Sequence, residues 1–280
     1  MTDEIKKEQN DEYVRNARLM DDYFFELCFG SDPKYIEAVI NGIFEQLNIP
    51  LVKITEIKTQ KRLLTVENRN ACLDAVATDE NGNLINIEVQ RAKKSSLFRR
   101  ARYHSSLLDT NNLTSGEDFS QLPDTYVIFI LEYDLRKQEL PAYQVKRTFL
   151  EDNSDFDDGT RFIFVNGTYR GDDPIGILMH DFNVKGARQM KNAMLKERVE
   201  FFKETEEGAK EMKGIEEIIA ARSKAEGLAE GEAKGIAKEK VVIAKKLLML
   251  NVLSLEGISK STGLSLEEVK NLKKSVLASA

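Results

Sequence analysis

The stretch Thr125–Leu131, TYVIFIL, is dominated by apolar residues and does not alternate. A strand with one solvated face alternates, so this run belongs in the middle of a sheet covered on both faces. Its apolar core, Val127–Leu131, is the longest in the chain and falls far short of the ~18 residues of a membrane span. The spacing therefore predicts an α/β layer arrangement around a mixed sheet, with no membrane partner.

The rest of the pattern fits that frame. From Met20 to Leu47 the apolar residues fall at helical spacing, and Ser31-Asp32-Pro33 divides them into two helices with Pro33 near the start of the second. Strand-like segments follow at Leu51–Ile57, Ala71–Thr78 and Leu84–Gln90, the last two flanking a hairpin signal at Asp79–Asn83. A helix is predicted over Ser95–Leu108, a strand over Arg161–Val165, and a helix from Lys185 to Phe202. Beyond Lys203 the composition changes: no aromatic residue follows Phe202, and Gly227, Gly231 and Gly235 recur on one helical face. A helix over Lys238–Leu253 and two short helices around Thr262-Gly263 complete the tail, with Ser265 and Glu268 forming a capping box. The expected organisation is a flexible segment over 1–19, a folded domain over 20–205 and a helical tail over 206–280.

Several chemistries are excluded. Cys28 and Cys72 are the only cysteines, too few for a disulfide framework or a cysteine-built zinc site, and they fit a reducing cytoplasm. The N-terminus, MTDEIKKEQNDE, supports neither a secretory signal nor a transit peptide. His104 and His180 are too few and too scattered for a histidine metal site or a Ser-His-Asp triad. No phosphate-loop or dinucleotide glycine motif occurs. The acid-rich run Glu151–Asp158 would place Ser154 and Phe156 at calcium-ligand positions, so it reads as a solvated loop.

The informative chemistry lies between Cys72 and Thr110. Asp74 interrupts an apolar strand, and Glu88 and Gln90 share one face of the next. A two-residue Asn81-Gly82 turn would send Asp74 and Glu88 to opposite faces. A three-residue loop, Glu80-Asn81-Gly82 with Gly82 left-handed, sets them directly opposite each other, and this loop is the expectation. Two such carboxylates make a hard-oxygen site suited to Mg²⁺. Downstream, Arg91, Lys93, Lys94, Arg99, Arg100 and Arg102 occur with no intervening acid, and Arg99, Arg102, Tyr103 and Ser106 share a helix face. A basic stripe with an aromatic beside two carboxylates suits a phosphate-backbone track on DNA.

With these residues in view, LDAVATDENGNLINIEVQ followed by RRARYHSSLLDTNNL resembles the Rpn-type, transposase-like branch of the PD-(D/E)XK nuclease superfamily. Shorter matches run in order from Met20–Phe25 through Lys58–Gln60, Gly116–Phe119, Leu122-Pro123, Val165–Gly167 and Leu178–Phe182 to Phe202–Thr205. The resemblance implies a restriction-endonuclease-like αβββαβ core. It implies catalytic Asp74, Glu88 and Gln90, the last in place of the motif lysine, with Leu73 where the wider superfamily often has proline. Asp74 and Glu88 would be the ligands of Mg²⁺, for which Mn²⁺ substitutes. The implied activity is hydrolysis of DNA phosphodiesters by an endonuclease tied to recombination or mobile elements. Arg91, Lys93, Lys94, Arg99, Arg100, Arg102 and Tyr103 would contact DNA, and Asp22 or Glu26 would add an acid from the first helix. The alternative is a DNA-binding protein on the same fold with little or no catalysis. The segment Ser254–Ser275 resembles a helix-turn-helix, which could read a DNA major groove, but the Glu267-Glu268 start of its last helix disfavours phosphate contact, so homo-oligomerisation through the C-terminal helices is the expectation.

Net charge first counts against DNA: the chain carries −6. The sum is segregated, however. Residues 1–26 hold eight acids and four bases, and residues 117–158 hold eleven acids and four bases. Residues 89–108 hold six bases and no acid. The average conceals a local basic track in an acidic surround, so DNA binding is expected to be weak and strongly salt-sensitive.

Overall fold

In the computed structural model, residues 15–63, 71–93, 96–212, 239–250 and 253–277 are described. Strand β4 (Thr125–Leu131) lies inside a six-stranded sheet with β1 (Ile54–Leu63), β2 (Ala71–Asp79), β3 (Leu84–Gln90), β5 (Ala142–Val145) and β6 (Thr160–Asn166). The order is β1-β2-β3-β4-β6-β5. β4 pairs in parallel with β3 and β6, while β1/β2, β2/β3 and β5/β6 are antiparallel. The absence of alternation in β4 is thereby explained: it has strands on both sides and helices on both faces.

Helix α1 (Asp22–Phe29), α2 (Pro33–Gln46), α4 (Pro174–Asn183) and α5 (Ala193–Glu204) form one layer, and α3 (Leu97–Asn112) crosses the opposite face to connect β3 with β4. Phe44 of α2 meets Tyr126 at 4.9 Å between ring centroids, whereas Val127, Phe129 and Leu131 pack with Leu97 and Ala101 of α3. Phe25, Phe29 and Phe182 join α1 to α4 at centroid distances between 4.7 and 6.3 Å. Gly42 brings α2 against α4: a Cβ there would lie 2.7 Å from Leu178 Cδ1. The architecture is a mixed α/β fold of restriction-endonuclease-like type with additional C-terminal helices.

Four elements differ from the sequence reading. β1 begins at Ile54 instead of Leu51, because Asn41 brackets Val52 with two hydrogen bonds (2.8 and 2.9 Å) and holds that segment on α2. β5 and α4 were not predicted. The first is a four-residue edge strand, and the second starts at Asp173-Pro174, where Asp173 caps Gly176 N–H at 2.9 Å. The helix predicted from Lys185 begins only at Ala193, after a 3-10 turn at Ala187–Gln189.

The Asp181 carboxylate, fully buried, explains that late start. It accepts the N–H groups of Lys191 (2.9 Å) and Asn192 (2.8 Å), so it fixes the chain just ahead of α5. Removing it strands those donors in the interior. Asp181→Ala is expected to destabilise the protein by about 3 kcal/mol, read from the urea midpoint at unchanged slope.

Contacts divide the chain after Gly214. In the second unit, helical residues 239–250, α6 (Leu255–Thr262) and α7 (Leu266–Leu277) enclose Ala244, Ile258 and Val269. Gly263, at φ +67°, ends α6 in the left-handed conformation. The capping box is present: Glu268 N–H donates to Ser265 Oγ (3.2 Å), and Ser265 N–H to Glu268 Oε2 (2.8 Å). Gly227, Gly231, Gly235 and the N-terminal segment 1–14 lie outside the described residues.

Candidate active site

The hairpin between β2 and β3 sets the site. Gly82 N–H donates to Asp79 O (3.2 Å), Asp79 N–H donates to Asn83 O (3.1 Å), and Gly82 has φ +84°. This is the expected three-residue loop, and glycine meets the positive φ without strain. The register runs from Thr78↔Leu84 to Ala75↔Ile87. Continued by one residue, it places Asp74 opposite Glu88.

At that position side chains take over from the backbone ladder. Asp74 Oδ2 accepts the Val89 N–H at 3.0 Å, and Glu88 Oε1 accepts the Asp74 N–H at 3.2 Å. Each carboxylate is thus fixed by the opposing strand. Asn86, Glu88 and Gln90 form a buried polar row on the β3 face beneath α3, a face usually reserved for apolar residues. Asn86 Nδ2 donates to Ala75 O (3.1 Å) and to Glu88 Oε1 (3.0 Å), while its Oδ1 has no partner among the described residues.

Helix α3 supplies the counter-charge. Arg100 forks across the row, donating to Glu88 Oε2 at 2.6 Å and to Gln90 Oε1 at 2.7 Å. Its Nε donates to His104 Nε2 at 3.3 Å, and the other ring nitrogen, Nδ1, lies 3.4 Å from Glu88 Oε1. His104 stacks on Phe129 with centroids 6.0 Å apart. Arg100 and His104 are one helical turn apart, so both reach the same carboxylate.

The two carboxyl groups are driven apart electrostatically. Burial pushes Asp74 well above the usual carboxylate range, and the neighbouring charge of Glu88 adds to this; the Val89 N–H and Arg100 oppose it. Glu88 is also penalised by burial, but His104, Arg100 and Asn86 outweigh that penalty and hold it below its ordinary value. Of the two, Asp74 is the group whose protonated form the site favours, and Glu88 the one whose ionised form it favours. Two hard-oxygen donors held rigidly opposite each other suit a divalent ion. Among the described residues no group of three or more His, Cys, Asp or Glu side chains is placed to hold a metal ion.

The other predicted residues divide into groups. Arg91 pairs with Asp21 (2.8 Å) and Glu132 (3.2 Å), and Arg18 pairs with Glu132 as well, so its charge is locally compensated. Lys93 Nζ lies over the Tyr133 ring at 5.1 Å, and Lys94 is outside the described residues. Arg99 and Arg102 are exposed on α3, whereas Tyr103 is half-buried against Leu73, Val76, Leu84, Leu107 and Leu108. Arg100 belongs with the carboxylates and does not extend along the helix surface. Asp22 lies near enough to raise Asp74 further; Glu26 is half-buried one turn along α1. Sequence reasoning passed over Asn86, although the two-residue period of β3 points to it; His104, read from the sequence as lying at the edge of the packed helix face with a supporting role near the site left open, stands 3.4 Å from Glu88 Oε1.

A family model described as PD-(D/E)XK nuclease family transposase matches residues 19–168. The chain belongs to this family. The match runs from just before α1 through β6 and so contains the hairpin, α3 and the carboxylate pair. No curated protein and no solved structure matches the chain. Membership supports a nuclease or mobile-element connection and a DNA substrate, and nucleases of this superfamily generally use divalent metal ions. No described helix is long and apolar enough to cross a membrane.

Proposed function

We propose that this PD-(D/E)XK chain is a cytoplasmic endonuclease that hydrolyses DNA phosphodiesters with Mg²⁺, or with Mn²⁺ in its place, in recombination or mobile-element movement. The observation that carries the reading is the pairing of half-buried Asp74 with buried Glu88, fixed across a hairpin and capped by a basic helix. Asp74 and Glu88 would hold the ion. When bound, the ion supplies Lewis-acid polarisation of the phosphodiester and a water of lowered pKa. The Gln90 amide, on the same strand face, orients the attacking water. Arg100, once its fork leaves Glu88 and Gln90, offers its N–H groups to a phosphate oxygen. Arg99, Arg102 and Lys93 hold the backbone, with Lys94 and Arg91 alongside and Tyr103 packing beneath.

A second reading, DNA binding with slow or absent cleavage, draws on two observations: Gln90 lacks the ammonium of the motif lysine, and Arg100 already engages both oxygens. Nicking of supercoiled plasmid decides between them. Wild-type nicking in Mg²⁺ or Mn²⁺, lost in EDTA and lower by about 100-fold or more in Asp74→Ala and Glu88→Ala, supports the nuclease. Absent wild-type nicking, or equal nicking by the variants, removes it.

DNA affinity is expected to fall steeply with salt, and Arg99→Ala or Arg102→Ala each to lower the log–log slope by about 1. Fluorescence anisotropy over a salt series checks this; a salt-independent affinity would contradict both readings. The second unit supports self-association: Val242, Met249, Leu250 and Leu253 remain exposed around the helix at 239–250.

A further inference from the structure

The face of the sheet that carries Glu88 continues beyond α3 into an open cavity of about 680 Å³. Across the strands, Glu88 pairs with Phe129, Phe129 with Phe164, and Phe164 with Tyr143, so one row of side chains leads from the carboxylate to the cavity floor. Two strand spacings, about 10 Å, separate Glu88 from Phe164. The floor is Phe162, Phe164 and Tyr143, and one wall is Phe98 of α3, 61% exposed with its ring edge-on to Phe164 at 5.5 Å. Arg102 and Arg136 stand at the rim, and none of the described residues lining the cavity is acidic. Arg147 is already committed, to Asp158 and to the face of Phe162.

A cavity with aromatic rings at its floor and wall, aliphatic side chains between them and exposed guanidinium groups in its lining suits a ligand that can stack at one end and is anionic at the other. The volume is in the range of small-molecule sites. Phe98, on the basic helix, presents a large aromatic ring to solvent at the cavity wall, a surface on which a planar group can stack. Arg102 belongs both to the cavity rim and to the basic helix surface, so a strand lying on α3 passes the cavity mouth. Stacking on aromatic rings is how proteins hold unpaired bases without reading sequence.

We propose that this cavity receives an unpaired nucleobase of the DNA strand held on α3, with Arg102 and Arg136 on the adjoining phosphate. The inference rests on the nuclease reading for its choice of nucleic acid, and it narrows the substrate to DNA with an unstacked base beside the scissile phosphate. Junctions, flaps and looped ends have this property, whereas continuous duplex does not.

The test is binding of the full-length protein, in EDTA, to a short oligonucleotide carrying one unpaired 2-aminopurine beside a duplex. Matched controls are a fully paired duplex and a version with an abasic site. The unpaired base is expected to bind about 5- to 150-fold more tightly than the abasic control, equivalent to about 1–3 kcal/mol for one stacked base, with quenched fluorescence. Phe98→Ala should erase that difference and leave duplex affinity unchanged, while Phe98→Trp should retain it. Equal affinity for the base and abasic probes, with duplex binding intact, overturns this proposal alone. Failure to bind any of the three overturns the DNA reading as well. A change of oligomeric state in Phe98→Ala without loss of base preference would assign the cavity to a protein contact and also overturn it.

Discussion

Asp74→Asn is expected to raise the thermal stability of the metal-free protein at neutral pH while abolishing metal-dependent cleavage. Burial and the Glu88 charge hold the Asp74 pKa far above its unfolded value. Between the two values the folded state binds a proton that the unfolded chain has lost, so wild-type stability falls as pH rises through this window. Above the raised pKa the full cost is present. Asparagine is neutral throughout and retains an oxygen for the Val89 N–H, so the variant escapes the cost and the gap widens as pH rises. Each unit of raised pKa corresponds to about 1.4 kcal/mol, and each kcal/mol to about 2–4 °C in a domain of this size. Scanning fluorimetry over a pH series reads the effect. A divalent ion reverses the order: at 100 times Kd it adds about 2.7 kcal/mol to wild type and nothing to the variant. A variant less stable than wild type at neutral pH would contradict the assignment of the proton to Asp74.

Arg100→Met is expected to have the opposite effect on the same site. Glu88 is fully buried, and the Arg100 guanidinium at 2.6 Å is its closest cation. Breaking a buried pair from one side leaves an uncompensated charge and costs about 3–5 kcal/mol. The Arg100 side chain is 29% exposed, which places the cost near the lower bound, about 3 kcal/mol. Lysine recovers only part of it, because an ammonium cannot fork to Glu88 and Gln90 together. Urea denaturation with and without Mn²⁺ separates the components: the ion should restore most of the loss by replacing the missing charge. A loss below about 1 kcal/mol in the absence of metal would show that Glu88 is not held by Arg100 in solution.

Local chemistry was legible in the sequence and inter-element phase was not. Gly82 after Glu80-Asn81 determines the hairpin loop, the loop determines the register, and the register brings Asp74 to Glu88; each step is a short-range rule. The positions of β3 and β4 follow equally directly from their composition. Arg100 is different. Six basic residues follow β3, and which of them turns inward depends on how α3 rolls on β4, through Leu97, Ala101 and His104 against a sheet formed from distant segments. The compensation of Arg91 by Asp21 and Glu132 is non-local for the same reason. The late start of β1 depends on Asn41 reaching across from α2, and edge strand β5 is too short to give an alternation signal.

The central claim is that Asp74 and Glu88 together hold one divalent ion, and calorimetric titration of Mn²⁺ into the full-length protein at neutral pH measures this without requiring turnover. The account predicts one ion per chain for wild type, proton release on binding as Asp74 ionises, and loss of the binding heat in Glu88→Gln. An unchanged isotherm in Glu88→Gln, or no Mn²⁺ binding by wild type in the presence of DNA, would contradict it.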